Sequence, residues 1–415
     1  VTARRLRAAA LFAFTAWVVA CALLLLGAAR DGRRGLSAVN AAEARTAPAD
    51  LLSGAPVQPL AAARRSFASA HRRLDHPFIA PLRLLPVAGR QLRTATAMVG
   101  AARTVSAVGA DSVDRARVAL EQPHATGPDR IVLLRKLRTI AADAERDLRP
   151  IKLGPSKALI GPIADRRAEL ADKLGSVRRG LRDAVAATGG LTDVLTGPRR
   201  YLLLAANNAE MRGGSGMFLS AGEITFNNGD MALSELRPTG DLNLAPEKAP
   251  PIEDADVAAR WGFLNPNREW RNLATSPRFP ASAQLAARMW PLTGGAPVDG
   301  VLALDPVALQ ALLKATGPVD VAGQSVNADG VIDLLLHDQY LEVQSAGGFY
   351  DPAQAARREQ LGQIARTVID KLTAGPFDVG TLAGSLANAA HGRHVLAWSA
   401  RPGDQQAWEA AGVDG

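Results

Sequence analysis

Residues 8–29, AAALFAFTAWVVACALLLLGAA, carry no charged side chain. A helix rises 1.5 Å per residue, so ~20 such residues cross the ~30 Å hydrocarbon core of a bilayer. This run of 22 residues therefore predicts a membrane-spanning helix before the rest of the chain is read. A cleaved secretory signal is the alternative, but its apolar core is normally ~7–15 residues long. The small residues at Gly27, Ala28 and Ala29 also make no clean cleavage pattern, so the run reads as a retained anchor. Arg4, Arg5 and Arg7 precede it; Arg30, Arg33 and Arg34 follow it, offset by Asp31. Positive charge flanking a span sets its orientation, and here the two sides are nearly balanced. The bulk of the chain follows an N-terminal anchor. The expected topology is thus single-pass at the cell membrane, with the N-terminus inside and the large domain extracytoplasmic.

Charge is unevenly spread behind the anchor. Residues 41–200 hold 27 basic and 15 acidic side chains, whereas residues 201–415 hold 15 basic and 24 acidic. A nucleic-acid reader concentrates positive charge on its folded reading domain, so no nucleic-acid partner is expected. Basic charge near the membrane suits anionic lipid or anionic envelope polymer. An ordinary solvated helical surface explains it as well, and both readings stay open. The one cysteine, Cys21, lies inside the apolar run, which excludes an internal disulfide and a cysteine-based metal site.

The chain divides by texture. Residues 1–34 are the anchor, and 35–60, rich in Ala, Gly, Ser and Pro, read as a linker with some helix. Residues 61–198 read as a helical stalk or bundle. Ile131, Leu134, Leu137 and Ile140 share one helical face, as do Leu170, Leu174, Val177, Leu181 and Val185. Pro81, Pro86, Pro123, Pro128, Pro150, Pro155 and Pro162 should break this segment into short or medium helices. These stripes are core, not a cofactor box.

From residue 199 strands and helices alternate, which predicts an α/β domain over 199–415. YLLLAA reads as a buried strand. Asn228-Gly229 is a two-residue hairpin signal that should pair 217–226 with 230–237. Residues 298–305 read as a strand, and 306–316 as a helix capped by Asp305, with Pro306 first and Gly317 just beyond. A tight hairpin is expected around Ala322-Gly323, helices over 328–340, 351–375 and 379–390, and a strand over 394–400. Residues 238–280 lack periodicity, and irregular stretches of that length in compact domains are usually functional or disordered.

The densest polar chemistry is NNAEMRGGSG, residues 207–216, directly after the YLLLAA strand. Arg212 beside Gly213 and Gly214 suits an anion, since a guanidinium can close on phosphate while backbone N–H groups line up around it. Asn207, Asn208 and Glu210 would orient the arginine or bind sugar hydroxyls. A capped turn with a structural Arg–Glu pair is the plainer alternative. Arg260, Arg268, Arg271, Arg278 and Arg288 crowd into the aperiodic region of a net-acidic domain, which suggests an anion pocket. Nucleophilic chemistry finds no support. Gly214-Ser215-Gly216 is followed by Met217 and so is no nucleophile elbow, and His391 with His394 reads as structural.

The motifs YLLLAANNAEMRGGSGMF, NNGD, NLATSPRFPASA, VDGVLALDPVALQALLKATGPVDV and HVLAWSARPGDQQAWEAAGVDG stand in that order. In this they resemble the bacterial family called domain of unknown function 4012, over residues 199–415. The resemblance implies a membrane-anchored envelope protein of unsettled activity whose domain continues past GVDG. Arg278 is a departure, because that family more often has Ser-Pro-Asp-Phe where this chain has Ser-Pro-Arg-Phe.

A looser similarity connects residues 290–321 to LytR-CpsA-Psr proteins, and with it a mixed sheet flanked by helices. Those enzymes move glycopolymers from polyprenyl-pyrophosphate carriers onto peptidoglycan. The similarity implies that Arg212, Arg268, Arg271 and Arg278 clamp the pyrophosphate, with magnesium suggested by resemblance only. Their Arg-Ser-Asp signature is absent: Arg212 is followed by two glycines. The resulting expectation is an envelope protein binding a phosphorylated or polyprenyl-linked glycopolymer, with transfer to the cell wall as its catalytic form. A non-catalytic scaffold or polymer-binding protein is the alternative, and a sensor whose basic helices read the membrane a third.

Overall fold

The computed structural model describes residues 2–45, 50–51, 53–122, 125–335, 352–375 and 377–415. The chain forms two compact units: residues 1–119 with 139–182, and residues 120–138 with 183–415. Three long helices each give residues to both units, and helical periodicity reveals a buried stripe without saying what covers it.

In the first unit α1 (Thr2–Glu43) holds an apolar window long enough to cross a membrane, of which only 6% is buried. The helix continues well past Arg34, so the expected linker starts later than residue 35. Cys21, Ala28, Asp31, Gly35 and Ala42 are its buried positions, spaced at the threes, fours and sevens of one helical face. That face meets α2 (Val57–Leu74), a 3-10 segment over Pro77–Leu84, and the start of α3 (Pro86–Leu120). Helices α4 (Gly127–Leu148) and α5 (Gly161–Thr196) follow.

At 35 and 36 residues, α3 and α5 are longer than the prolines suggested. Pro86 opens α3, and Pro128 and Pro162 stand second in α4 and α5. There a missing N–H costs nothing, because the first turn has no partner for it. Arg115 of α3 bonds Asp143 of α4 at 2.9 Å, and that hydrogen bond holds the Asp143 carboxyl below its ordinary range.

The second unit is built on a mixed six-stranded sheet. Its main path runs β3 (Asp230–Leu233), β2 (Met217–Asn227), β1 (Arg199–Asn207), β5 (Gly300–Leu304), β8 (Val395–Ser399), with β4 (Arg237–Pro238) also on β2. β1 and β5 are parallel, Tyr201 opposite Gly300; the other pairs in the sheet are antiparallel. β1 is covered on both faces, which is why it reads as an unbroken apolar run rather than an alternation. Leu202 and Leu204 face Phe218, Trp270, Phe279, Met289 and Trp290. Tyr201 and Leu203 face Ile224, Leu313, Ile364 and Val368.

The hairpin forms around Asn228 (φ 51°) and Gly229 (φ 83°), with Asn227 opposite Asp230. Both turn residues need positive φ, which Asn and Gly tolerate best. The expected 230–237 strand is interrupted after Leu233. There Ser234 leaves regular pairing: its hydroxyl accepts from Glu223 N–H at 2.8 Å, while its own N–H donates to Glu223 O.

One face of the sheet carries α7 (Phe279–Met289) and the other α8 (Pro306–Thr316), with the hairpin β6 (Val319–Val321)–β7 (Gln324–Val326) and α9 (Pro352–Ala374). Asp305 caps α8 by accepting from Val307 and Ala308 N–H, and Ala322 (φ 51°) with Gly323 (φ 82°) turns the β6–β7 hairpin. The helix expected over 328–340 is seen as a helical turn at Val331–Asp333; its part beyond 335 lies outside the described residues. Helices α10 (Val379–His391) and α11 (Pro402–Ala411) complete the unit.

Arg130, at the start of α4, belongs here. It is buried, donates to Ala125 O and Thr373 O at 2.8 and 2.7 Å, and lies over the Phe377 ring. Burial lowers the pKa of its guanidinium from the ordinary arginine range.

Residues 239–278 pack tightly without periodicity. They form 3-10 turns and one short helix, α6 (Ala255–Trp261), and bury Trp270 and Leu273 completely or nearly so. Side chains supply hydrogen bonds that a regular element would make through its backbone. Asn243 Oδ1 accepts from Trp270 N–H, Asn272 donates to Leu264 O, and Thr239 donates to Phe218 O.

Candidate functional site

Because β1 and β5 are parallel, their C-terminal ends lie at the same edge of the sheet. Open α/β sheets bind ligands outside such ends. Asn207 ends β1, Asp305 follows β5, and antiparallel β8 begins beside them, after His394. The polar run at 207–216 emerges at this rim.

Asn207 is buried, and its Oδ1 accepts from Ala209 N–H at 3.0 Å, turning the chain out of the sheet. Met217 N–H returns to Glu210 O at 3.1 Å and closes the loop into β2. Gly213 and Gly214 lie against the backbone of residues 274–277. A Cβ on Gly213 would stand 2.7 Å from Thr275 O, and one on Gly214 would stand 2.8 Å from Ser276 O. Gly214 N–H itself donates to Ala274 O at 2.8 Å. These glycines let two backbones touch, so the expected lining of free N–H groups does not form at Gly214.

Arg212 is half-buried, and Nη1 donates to the neighbouring Met211 O at 2.9 Å. Among the described residues no carboxylate lies within 4.0 Å of it, so the alternative of an Arg212–Glu210 pair does not form. Asn208 Oδ1 is buried beside it in sequence without a hydrogen-bond partner.

Three of the five arginines of 260–288 are held by carboxylates. Arg278 pairs with Asp254 at 3.0 Å, Arg260 with Asp256 at 2.5 Å, and Arg288 with Glu253. Arg271 is exposed against Gly240. Arg268 stands 4.0 Å from Glu269, and its buried Nε has no hydrogen bond. Glu253, Asp254 and Asp256 thus neutralise three of the five: Asp256 meets Arg260 one turn away on α6, whereas Asp254 and Glu253 reach Arg278 and Arg288 by a fold-back that residue spacing did not announce. Of the group, Arg278 comes nearest the rim loop in the chain of contacts, since it directly follows the Thr275–Pro277 backbone on which Gly213 and Gly214 rest.

A further pair completes the rim. His394 Nδ1 lies 2.6 Å from Asp305 Oδ2, and the Asp305 side chain is only 2% exposed. Arg393, next to it, donates to Pro277 O at 2.9 Å and ties this corner to the loop under Gly213. The sequence offered both residues, Asp305 as a cap and His394 in a turn. It gave no sign that they meet, and His391 instead uses Nδ1 on Ala387 O.

Neither Asp305 nor Asp254 has a carboxylate oxygen left without a partner for magnesium. Asp305 spends Oδ1 on two N–H groups and Oδ2 on His394; Asp254 spends Oδ1 on its cap and Oδ2 on Arg278. Among the described residues no group of three or more His, Cys, Asp or Glu is placed to hold a metal.

Residues 196–340 match the family model described as Protein of unknown function (DUF4012). No curated protein and no solved structure matches the chain. The likeness to the LytR-CpsA-Psr fold therefore has no solved relative behind it.

Proposed function

We propose that the chain is a single-pass cell-envelope protein whose extracytoplasmic α/β unit binds a phosphorylated or polyprenyl-linked glycopolymer at the β1–β5 rim. The observation that carries this reading is Arg212. It is a half-buried cation at the mouth of a strand end, and unlike Arg260, Arg278 and Arg288 it has no carboxylate beside it. An anion is the partner that such a guanidinium lacks. Asn207, Asn208, Glu210, Gly213 and Gly214 shape the loop that presents it. Arg278 follows the segment on which Gly213 and Gly214 rest, and Arg268 and Arg271 complete the cations proposed for the ligand.

Binding without transfer is the form of this reading that the side chains favour. Asp305 and Asp254 are occupied by caps, His394 and Arg278, and among the described residues no group of three or more His, Cys, Asp or Glu could hold a metal. The LytR-CpsA-Psr similarity suggests the substrate class, a glycan on a polyprenyl pyrophosphate, and not its chemistry. The test uses the full chain in lipid nanodiscs. Retention of a polyprenyl-pyrophosphate glycan is measured for the parent and for Arg212→Ala. Losing a charged hydrogen bond costs about 1.5–3 kcal/mol, so affinity should fall roughly 10- to 100-fold. Unchanged affinity overturns the site. Transfer to peptidoglycan, assayed with and without magnesium, separates an enzyme from a binder.

A further inference from the structure

The hairpin between α2 and α3 ends in an apolar tip, PFIAPLRLLPV, residues 77–87. Inside, Ile79 is fully buried and packs with Leu82 against Trp17, Cys21, Leu24 and Leu25 of α1. Outside, Phe78 is 53% exposed, Leu84 85%, Leu85 50% and Val87 69%. Large apolar side chains this exposed and this clustered mark an interaction surface.

Position along α1 says what would cover it. Trp17 Nε1 and Cys21 Sγ both donate to Phe78 O, at 3.0 and 3.2 Å. Cys21 lies nine residues before Arg30, the first charge after the apolar run. At 1.5 Å per residue that places Phe78 ~13 Å or more inside the run, close to half of a ~30 Å core. Higher up, Arg73 bonds Asp31 at 2.8 Å, at the polar end of the run. The hairpin therefore descends alongside the anchor from its polar flank to its middle.

Several backbone groups of the tip are either absent or satisfied within the protein. Non-helical chain survives at membrane depth only where its polar groups are satisfied by the protein. Pro77, Pro81 and Pro86 have no N–H to satisfy. Ile79 N–H donates to His76 O, Leu85 N–H to Leu82 O, and Phe78 O takes the two α1 donors. The one charge within the tip, Arg83, donates through Nη2 to Asp75 Oδ1 at 2.7 Å and to Leu74 O at 2.9 Å, while its buried Nε has no partner.

We propose that the residue 77–87 tip is a second membrane contact, seated among lipid acyl chains beside α1. It rests on the reading that α1 crosses a bilayer. The outward side chains Phe78, Leu84, Leu85 and Val87 then continue the lipid-facing surface of Leu23 and Leu26, which are 63% and 64% exposed. The first unit is thus held at a fixed depth and orientation by two apolar elements.

The test places single fluorescent reporters in the full chain. In a Cys21→Ser background, Leu84→Cys, Val87→Cys, Leu23→Cys and Val177→Cys are each labelled with an environment-sensitive dye. The proteins are reconstituted in phosphatidylcholine–phosphatidylglycerol vesicles with and without acyl-chain nitroxide lipid. Quenching at 84 and 87 as at 23, with none at 177, is the expected result. Quenching at 23 alone overturns the proposal and leaves the anchor standing, including the case in which a second copy of the chain covers the tip. No quenching at 23 or 84 removes anchor and tip together. Leu84 and Val87 are the two most exposed side chains of the tip, so at least one reporter should be tolerated by the fold.

Discussion

Two apolar runs in this chain have opposite fates. Tyr201–Leu204 of β1 is buried on both faces, each residue at 3% exposure or less, whereas Leu11, Phe12 and Phe14 of α1 are 60% exposed or more. Hydropathy alone would treat the two alike. The difference lies in length and in neighbours. A run of four residues can be roofed by helices on either side of a sheet, while one of 22 on a single helix is long and apolar enough to cross a bilayer core and is left largely uncovered.

The sharpest way to break that comparison is to shorten one side chain in each run. Leu202→Ala opens a cavity between β1 and α7 and should cost about 2–5 kcal/mol. It is read as a lower unfolding midpoint of the second unit in the full chain. Leu26→Ala should leave that midpoint unmoved.

A second test uses Tyr201, whose hydroxyl lies 3.5 Å from Asp404. Burial raises its pKa to about 12. The unfolded phenol titrates near ~10, so the folded state keeps its proton where the unfolded state loses it. The associated stability is present below pH ~10 and is lost as pH rises toward ~12, by up to about 1.4 kcal/mol per unit. Tyr201→Phe should flatten that alkaline slope in a pH series of denaturant melts.

Asp305→Ala should cost less, about 1–2 kcal/mol, through loss of the α8 cap. Asp305→Asn keeps a cap oxygen and so separates the cap from the His394 contact. The smallest effect is expected at Arg115→Ala, whose partner Asp143 is partly exposed. Such a solvent-screened pair contributes little, and its effect should shrink further in high salt. Because Arg115 holds the Asp143 carboxyl low, this contribution is present above that group's unfolded pKa and fades as pH falls through the folded one.

Much of the α/β unit was legible from local rules. The Asn228-Gly229 turn, the Asp305-Pro306 helix start and the Ala322-Gly323 hairpin each follow from what a few residues can do with their own backbone. The candidate site was legible only in part. Arg212 stood out by composition, and the structure leaves it without an acid. The arginines at 260, 278 and 288 stood out equally; Asp256 lies at helical spacing from Arg260, but Asp254 and Glu253 reach Arg278 and Arg288 by a fold-back that no period announces. The glycines beside Arg212 read as an anion cradle, while their packing against residues 274–277 explains them by close approach. His394 and Asp305 are 89 positions apart, and a contact of that span is invisible to any local window.

The sequence by itself determined the apolar helix, the succession of strands and turns, and the acidic character of the second half. Such features depend on backbone preference and on polarity summed over neighbours in the chain. Tertiary structure decided which arginines keep a free charge, which faces of α1 are covered, and which residues meet at the β1–β5 rim. Those outcomes depend on distances between segments remote in sequence, and electrostatic pairing and packing fall off within a few ångströms, so only the folded chain could fix them.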